Sequence, residues 1–375
     1  MAVRTLSAYQ LAGLLGDEPL QRPAHRHLGA RLRLLALDGR LVEGVRLPSE
    51  RDLAGQLGIS RATVAAAYAA LRDQAVLESR PGSGNYVRSK PVAGAQLGGA
   101  RVDGAIVMTF SAAPAAPGVA EAYARAFESL PELLAGHGYF PDGLEVLRER
   151  LAAWYARRGL PTDPDQIIVT GGALPALNLV GQALLEPGDR VLVESPTYAN
   201  GLESLRGRGA RLVPVPMTAT GWDLDGVSSA LRQTAPRLAY LIPDFHNPTG
   251  SLMTADARRE LGEAFRRERC IPVVDETMVE TNLDAVEMPA PFATWHPETI
   301  TLGSSSKAFW AGLRTGWIRA PRSMVRQLVE RRATVDLGSA AIEQLVLAEL
   351  LVDPEALLVP HRARLRAQRD HLLAS

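Results

Sequence analysis

The sequence predicts an α/β protein in two parts: a small, mostly helical head and a large body built on a doubly wound parallel sheet. Three observations predict it. Short helical patterns crowd the first 90 residues, a Gly/Ala/Ser/Val-rich stretch follows at 89–106, and from Phe110 onward buried apolar strands alternate with helices. Alternating strands and helices imply parallel pairing with helices on both faces of the sheet.

In the head, Leu28, Leu32 and Leu35 have helical spacing within residues 22–38, and Gly39 stops that run. Pro48-Ser49-Glu50 opens a second helix over 49–57, and Gly58 breaks it. Ser60 is placed to cap a third helix over 61–74, because a serine side chain accepts from the free amides of a first turn. Ala54, Leu57, Ile59, Val64, Tyr68 and Leu71 would share a small core. Residues 76–79 and 85–88 flank Arg80-Pro81-Gly82-Ser83-Gly84, which reads as a hairpin with a glycine-rich tip. Boundaries follow: a head over 1–88, a linker over 89–106 and a body over 107–375. A flexible linker of that length spans roughly 20–25 Å on average.

The body's expected strands are Ile167–Thr170, Arg190–Val193, Arg211–Val215, Leu238–Ile242, Ile271–Val274 and Thr299–Leu302, with a final helix over 357–373. Turns at the carboxyl ends of such strands are where these sheets bind ligands.

Charge and composition narrow the function. The chain of 375 residues has a net charge of zero, yet residues 1–90 hold 13 Lys/Arg against 8 Asp/Glu, and the remainder 28 against 33. A basic head on an acidic body suits an anionic polymer as the head's partner. One cysteine, Cys270, excludes an intrachain disulfide and a cysteine-based metal site. The first 16 residues lack a signal-peptide pattern, and no stretch approaches the ~20 apolar residues of a membrane span. A cytoplasmic location is expected.

Helix, short turn, helix and hairpin make a winged helix-turn-helix, in which the start of the second helix enters the major groove of double-stranded DNA. Ser60, Arg61 and Thr63 are the polar side chains there. Arg61 could read guanine or hold a phosphate. Arg51 is a phosphate candidate, and Arg80, Gly82, Ser83 and Gly84 form a wing able to meet the sugar-phosphate chain. Residues 47–71 with 79–87 resemble the GntR-type winged helix-turn-helix. That resemblance implies DNA contacts from Arg51, Ser60, Arg61, Thr63 and Gly82. Many relatives carry a basic residue where this chain has Ala65 and Ala66.

In the body the informative residue is a lysine. The chain has only two, Lys90 and Lys307, against 39 arginines. Arginine keeps its proton, whereas lysine can lose it and form a Schiff base. Lys90 reads as a solvated linker residue. Lys307 ends Gly303-Ser304-Ser305-Ser306-Lys307 and is a candidate for amine chemistry, or a chance survivor of the arginine bias.

Around Lys307 the sequence offers each group that pyridoxal phosphate (PLP) needs. Asp275 ends a buried strand and suits the pyridinium nitrogen, unless it merely caps a helix. Tyr198 follows a strand and could stack on the ring or simply pack in the core. Asn247, in His246-Asn247-Pro248-Thr249-Gly250, could donate to the phenolic oxygen or only shape a turn. Gly172 and Ala173 open a helix whose free amides suit a phosphate. Ser304 adds a hydroxyl and Arg314 a fixed cation.

Asn-Pro-Thr-Gly, the later Asp275, Ser-x-x-Lys and Gly-Leu-Arg-x-Gly together resemble the fold-type I, aspartate-aminotransferase-like enzymes, from about residue 107 to the end. With the GntR-type head, the chain resembles the MocR subfamily of bacterial transcriptional regulators. That resemblance implies PLP on Lys307 and the roles just given for Asp275, Asn247, Tyr198, Gly172, Ala173, Ser304 and Arg314. It implies that Tyr139 reaches a partner subunit's phosphate, hence a homodimer with exchanged heads. It also implies a small amine, an amino acid or PLP itself as effector. An active aminotransferase with an autoregulatory head, or a regulator that keeps the fold without PLP, are the alternative functions.

The chain departs from the family at Thr277 and Met278, where relatives often place a tyrosine, and at Leu174 and Trp310-Ala311. Relatives usually continue into a small C-terminal α/β lobe carrying an arginine for the substrate carboxylate. The sequence offers no such lobe before Ser375, so that lobe is expected to be missing or truncated.

Overall fold

The computed structural model describes residues 5–16, 19–37, 41, 44–80, 83–88 and 111–374. Gly82, Lys90 and the expected linker lie outside the described residues. The chain divides into two compact units, residues 1–110 and 111–375.

The first unit holds helices α1 (Ala8–Leu15), α2 (Ala24–Leu37), α3 (Glu50–Leu57) and α4 (Arg61–Asp73), then strands β1 (Leu77–Arg80) and β2 (Gly84–Val87). Serines start three of the helices. Ser7 caps α1 in a reciprocal box with Gln10, Ser49 accepts from Asp52 N, and Ser60 accepts from Thr63 N. Gly58 ends α3 in the left-handed conformation (φ 64°), which costs a glycine little. The helices bury Leu11, Leu28, Leu32, Leu53, Val64, Tyr68 and Leu71 in one core, with Leu57 and Ile59 packed at its edge. Tyr68 keeps its hydroxyl paired by donating to Pro48 O at 3.1 Å. The helix α1 was not anticipated from the sequence, because its leucines do not stand out from the apolar residues around them.

In the second unit, β3 (Ile167–Thr170), β4 (Arg190–Ser195), β5 (Arg211–Thr218), β6 (Gly221–Trp222), β7 (Leu238–Leu241), β8 (Ile271–Asp275), β9 (Ile300–Ser304) and β10 (Gly316–Arg319) form one sheet. Their order is β3-β10-β9-β8-β7-β4-β5-β6. The expected wholly parallel sheet needs a correction. β10 runs antiparallel to both β3 and β9, and β6 antiparallel to β5. The physical reason is the short connection from β9 to β10. It holds only the four-residue helix α11 (Ser305–Ala308) and a 3-10 turn, too little chain for the dozen or more residues of a parallel crossover.

Helices cover both faces. α5 (Val119–Leu134), α6 (Glu145–Arg157) and α13 (Ala341–Leu350) share a core with one face of β3 and β10. α7 (Ala173–Leu184), α8 (Ala199–Gly207) and α12 (Arg322–Arg332) pack on the other face, and α9 (Leu224–Thr234) and α10 (Ala255–Arg267) flank a further cluster with Phe265 and Phe292. α14 (Pro354–Leu373) is the last helix.

Candidate functional site

Register across the sheet brings the sequence-predicted residues to one edge. Gly316 pairs with Thr170 on one side and Ser304 on the other. Asp275 pairs with Leu302, Leu241 with Val274, and Tyr240 with Val193. The turns after β3, β4, β7, β8 and β9 therefore open on the same side.

Gly172 caps α7 with φ 122°, a conformation that disfavours a side chain, and a Cβ there would lie 3.2 Å from Arg314 Nη2. Gly316 permits the close approach of the neighbouring strands, since a Cβ on it would lie 2.6 Å from the Gly172 carbonyl carbon and 2.7 Å from Gly303 O. Arg314 is itself left-handed (φ 49°), a strained conformation for a residue with a side chain and one that clusters at functional sites. Its guanidinium has weak carbonyl partners, Gly171 O at 3.3 Å and Ala311 O at 3.4 Å, and no ion-pair partner among the described residues. An exposed, uncompensated guanidinium beside a helix N-terminus is suited to an anion. Ala173 is the first residue of α7. Ser304 lies at the other side of this cradle, where its hydroxyl donates to Ser306 Oγ at 3.0 Å and accepts from Ser306 N.

Lys307 stands in α11, three residues after Ser304, and lines a cleft of about 390 Å³ with Asn247, His246, Met278, Asp284 and Arg369. Its amine donates to the carbonyl of Ser111. Burial lowers the Lys307 pKa, and the negative charge of Asp275 opposes that shift. Asp275, at the end of β8, is buried and does not cap a helix. It accepts from Tyr240 Oη at 2.9 Å and Thr277 N at 2.9 Å. Burial pushes its pKa up against those hydrogen bonds, and the Glu194 charge adds to the rise.

Tyr198 precedes α8, half-buried against the core, with its hydroxyl accepting from Asn200 Nδ2 at 3.1 Å. Asn247 is exposed in the turn after β7. Tyr139 is 60% exposed on a surface loop, stacked on His137. Among the described residues no cluster of His, Cys, Asp or Glu could hold a metal ion, and no helix is long and apolar enough to cross a membrane.

The sequence reading missed several supports. Tyr240 holds Asp275, and the one signal for it was a lone phenol inside the apolar run Leu238–Leu241. Beneath Asp275 lies a buried charge pair, Arg158 Nη1–Glu276 Oε2 at 2.5 Å. Arg258 Nη2–Asp244 Oδ1, at 2.6 Å, is buried with no exposed side-chain surface on either partner. Nothing in the local sequence marks these pairs, because their members lie far apart along the chain.

In the head, Arg51 and Arg61 are exposed on α3 and α4, with Arg61 Nε 3.6 Å from Glu50 Oε2. Ser60 and Thr63 are committed to the cap, their hydroxyls 2.8 Å apart. Arg80 is engaged within its hairpin, 2.6 Å from Glu78 Oε1 and 4.4 Å over the Tyr86 ring.

Comparison with known proteins agrees with this division. Residues 116–375 match the family of class I and II aminotransferases, and residues 24–87 match the bacterial regulatory proteins of the gntR family. The probable rhizopine catabolism regulatory protein MocR of Rhizobium meliloti is 30% identical, the match covering 94% of this chain and 76% of that protein. An uncharacterized HTH-type transcriptional regulator of Bacillus subtilis, YisV, is 28% identical over 93% of this chain and 78% of its own. Among solved structures, LysN, the α-aminoadipate aminotransferase of Thermus thermophilus, was determined with N-(5'-phosphopyridoxyl)-L-leucine. It superposes with a TM-score of 0.64 and 30% identity, covering 71% of this chain and 69% of that one. The chain therefore belongs to the class I and II aminotransferases, as a MocR-type member in which a GntR-type DNA-binding domain is fused to the aminotransferase-like body.

Proposed function

We propose that this chain is a transcriptional regulator whose body binds PLP on Lys307 and senses an amine, an amino acid or PLP itself. The observation that carries the reading is the Lys307 amine lining a cleft with Asn247, where burial lowers its pKa against the opposing Asp275 charge. A lowered pKa raises the share of free amine, the form that attacks an aldehyde. When bound, PLP supplies that aldehyde and an electron-withdrawing ring. Asp275 accepts from the ring nitrogen, and Tyr240 and Thr277 N hold its carboxylate in place. Tyr198 covers a ring face, and Asn247 donates to the phenolic oxygen. Gly172, Ala173, Ser304 and Arg314 hold the phosphate, which supplies the charge that Arg314 otherwise lacks.

The protein acts as a cytoplasmic homodimer on double-stranded DNA, with Tyr139 reaching the partner subunit's phosphate site. Its exposure is consistent with that role. Arg51 and Arg61 are the leading DNA contacts. Ser60 and Thr63 orient the helix that presents Arg61, and Arg80 and Gly82 belong to the wing. An effector shifts DNA binding only if it binds two states of the dimer with different affinity.

The test is titration of a promoter fragment with and without PLP. Wild type should change its DNA affinity on adding PLP, and Lys307→Ala should not. Identical curves for the two proteins would sink the coupling. The second reading, a working aminotransferase, is favoured by the presence of both Lys307 and a buried Asp275 whose charge acts on the Lys307 amine. Amino transfer to a keto acid above the Lys307→Ala background would establish it.

A further inference from the structure

Glu194, at the end of β4, is buried with 3% exposure, yet no part of the PLP-binding reading uses it. Its carboxylate gathers donors from three places. Oε1 accepts from Trp222 Nε1 at 2.6 Å and from Ile242 N at 3.1 Å. Oε2 accepts from the same Ile242 N at 3.0 Å and from Thr197 Oγ1 at 3.4 Å, and lies 3.2 Å from His246 Nε2.

Trp222, Ile242 and Thr197 are all donors, so both oxygens must accept. A carboxylate does this, whereas a glutamine amide would turn an N–H toward one of them. The His246 ring fits the same scheme. Its Nδ1 faces Thr249 Oγ1 at 2.9 Å and accepts from Thr249 N at 3.4 Å, which leaves the proton on Nε2, toward Glu194. That Nε2 is buried and makes no hydrogen bond, with Glu194 Oε2 the acceptor 3.2 Å away. Trp222 closes the group, its ring edge-on to His246 at 5.8 Å.

The chain positions of these donors give the group its meaning. Thr197 precedes Tyr198, and His246 precedes Asn247. Thr249 closes the Asn247 turn, where Gly250 N donates to His246 O at 2.6 Å and His246 N to Ser251 O at 2.8 Å. The ring-stacking turn after β4 and the phenolic-oxygen turn after β7 thus meet on one buried carboxylate.

We propose that Glu194 is a positioning residue that, through its hydrogen bonds from Thr197 and Ile242 N and its contact with His246, fixes the Tyr198 and Asn247 turns relative to each other so that both can engage one PLP ring. The proposal rests on the PLP-binding reading above. A buried carboxylate with several convergent donors is rigid, because any single displacement strands another polar group.

The test uses the full chain and PLP as the probe, followed by the absorbance of bound PLP. Glu194→Gln should weaken PLP binding about tenfold or more and shift the bound-PLP band. Thr249→Val, at an exposed turn position that removes one Nδ1 contact from His246, should weaken binding about two- to fivefold with no loss of fold. A second readout separates positioning from mere structural support. Asp275 is faced by Tyr240 from β7, Thr277 on its own loop, Lys307 from α11 and the Glu194 charge from β4. Removing the Glu194 charge should move the acid limb of PLP binding to lower pH, which a simple loss of stability does not do. If both variants bind PLP with the wild-type dissociation constant, band and acid limb, the positioning role is overturned. If Glu194→Gln fails to fold, Thr249→Val decides alone, and wild-type binding by it overturns the role. Wild type that forms no PLP band at all would overturn the underlying reading instead, a result distinct from variants that match a binding-competent wild type.

Discussion

At the start of α4, Ser60 and Thr63 spend their hydroxyls on each other and on the helix amides, while Arg61 and Arg51 stand in solvent. At the strand ends of the body, Glu194, Asp244, Asp275 and Glu276 are buried, and their partners arrive from distant parts of the chain. The head makes a polar surface from consecutive residues, whereas the body makes one by crossing strands. An exposed cation needs no partner to be stable and remains free for an anionic polymer. A buried carboxylate needs a partner, and that pairing fixes the geometry a small ligand meets. Recognition of DNA and of a small molecule therefore place different demands on the same kinds of residue.

The sharpest way to break this contrast is to remove one partner of a buried pair. Arg258 donates to Asp244 Oδ1, Met253 O and Ala290 O, and Asp244 Oδ2 makes no hydrogen bond. Arg258→Ala leaves Asp244 buried and unpaired, which costs roughly 3–5 kcal/mol. At about 2–4 °C per kcal/mol for a body of this size, thermal unfolding should drop by about 6–20 °C. A change within a degree or two, measured by calorimetry, would show that the buried pairs do not hold the loop carrying Asn247.

The corresponding change in the head should leave stability alone and remove binding. Arg61→Ala deletes an exposed side chain whose charged neighbour, Glu50, lies at 3.6 Å, so stability should stay within about 0.5 kcal/mol. If Arg61 reads a base, affinity for a specific site should fall by about 1–3 kcal/mol, roughly 5- to 150-fold. If Arg51 holds a phosphate, Arg51→Ala should weaken binding to all sequences alike and lower the salt slope by about one. Equal losses on specific and random DNA for Arg61→Ala would assign it to phosphate instead.

The same contrast explains what could be read from the sequence. The head was legible because caps, glycine breaks and the hairpin tip are local signals, and the Ser60 cap lies where the sequence placed it. Lys307 stood out by the scarcity of lysine, and Asp275 by ending an apolar strand. Tyr240, Glu194 and the two buried ion pairs were not legible, because each matters only through a partner 14 to 118 residues away. The antiparallel course of β10 escaped for a related reason: Gly316–Arg319 is too short to show a direction by its own pattern, and only its pairing with β3 and β9 reveals it.

The smallest expected effect is a pH dependence confined to the body. PLP capture needs the Lys307 amine without its proton and the Asp275 carboxylate in its charged form. Burial lowers the lysine pKa, so capture should begin to rise at a lower pH than for an ordinary lysine. Burial and the Glu194 charge raise the Asp275 pKa, so binding should fail on acidification at a higher pH than for an ordinary carboxylate. The two shifts act in the same direction on their groups' charges: each disfavours the ionised form, as desolvation does. Binding therefore rises with pH through two deprotonations, the Lys307 step moved down and the Asp275 step moved up. Asp275→Asn should remove the acid limb while leaving the rise assigned to Lys307, as followed by absorbance across pH. The head has no buried carboxylate among its described residues, so DNA binding measured without PLP should not share that acid limb. An acid limb common to both activities would mean that the two units titrate as one, and the contrast between an open surface and a sealed site would have to be redrawn.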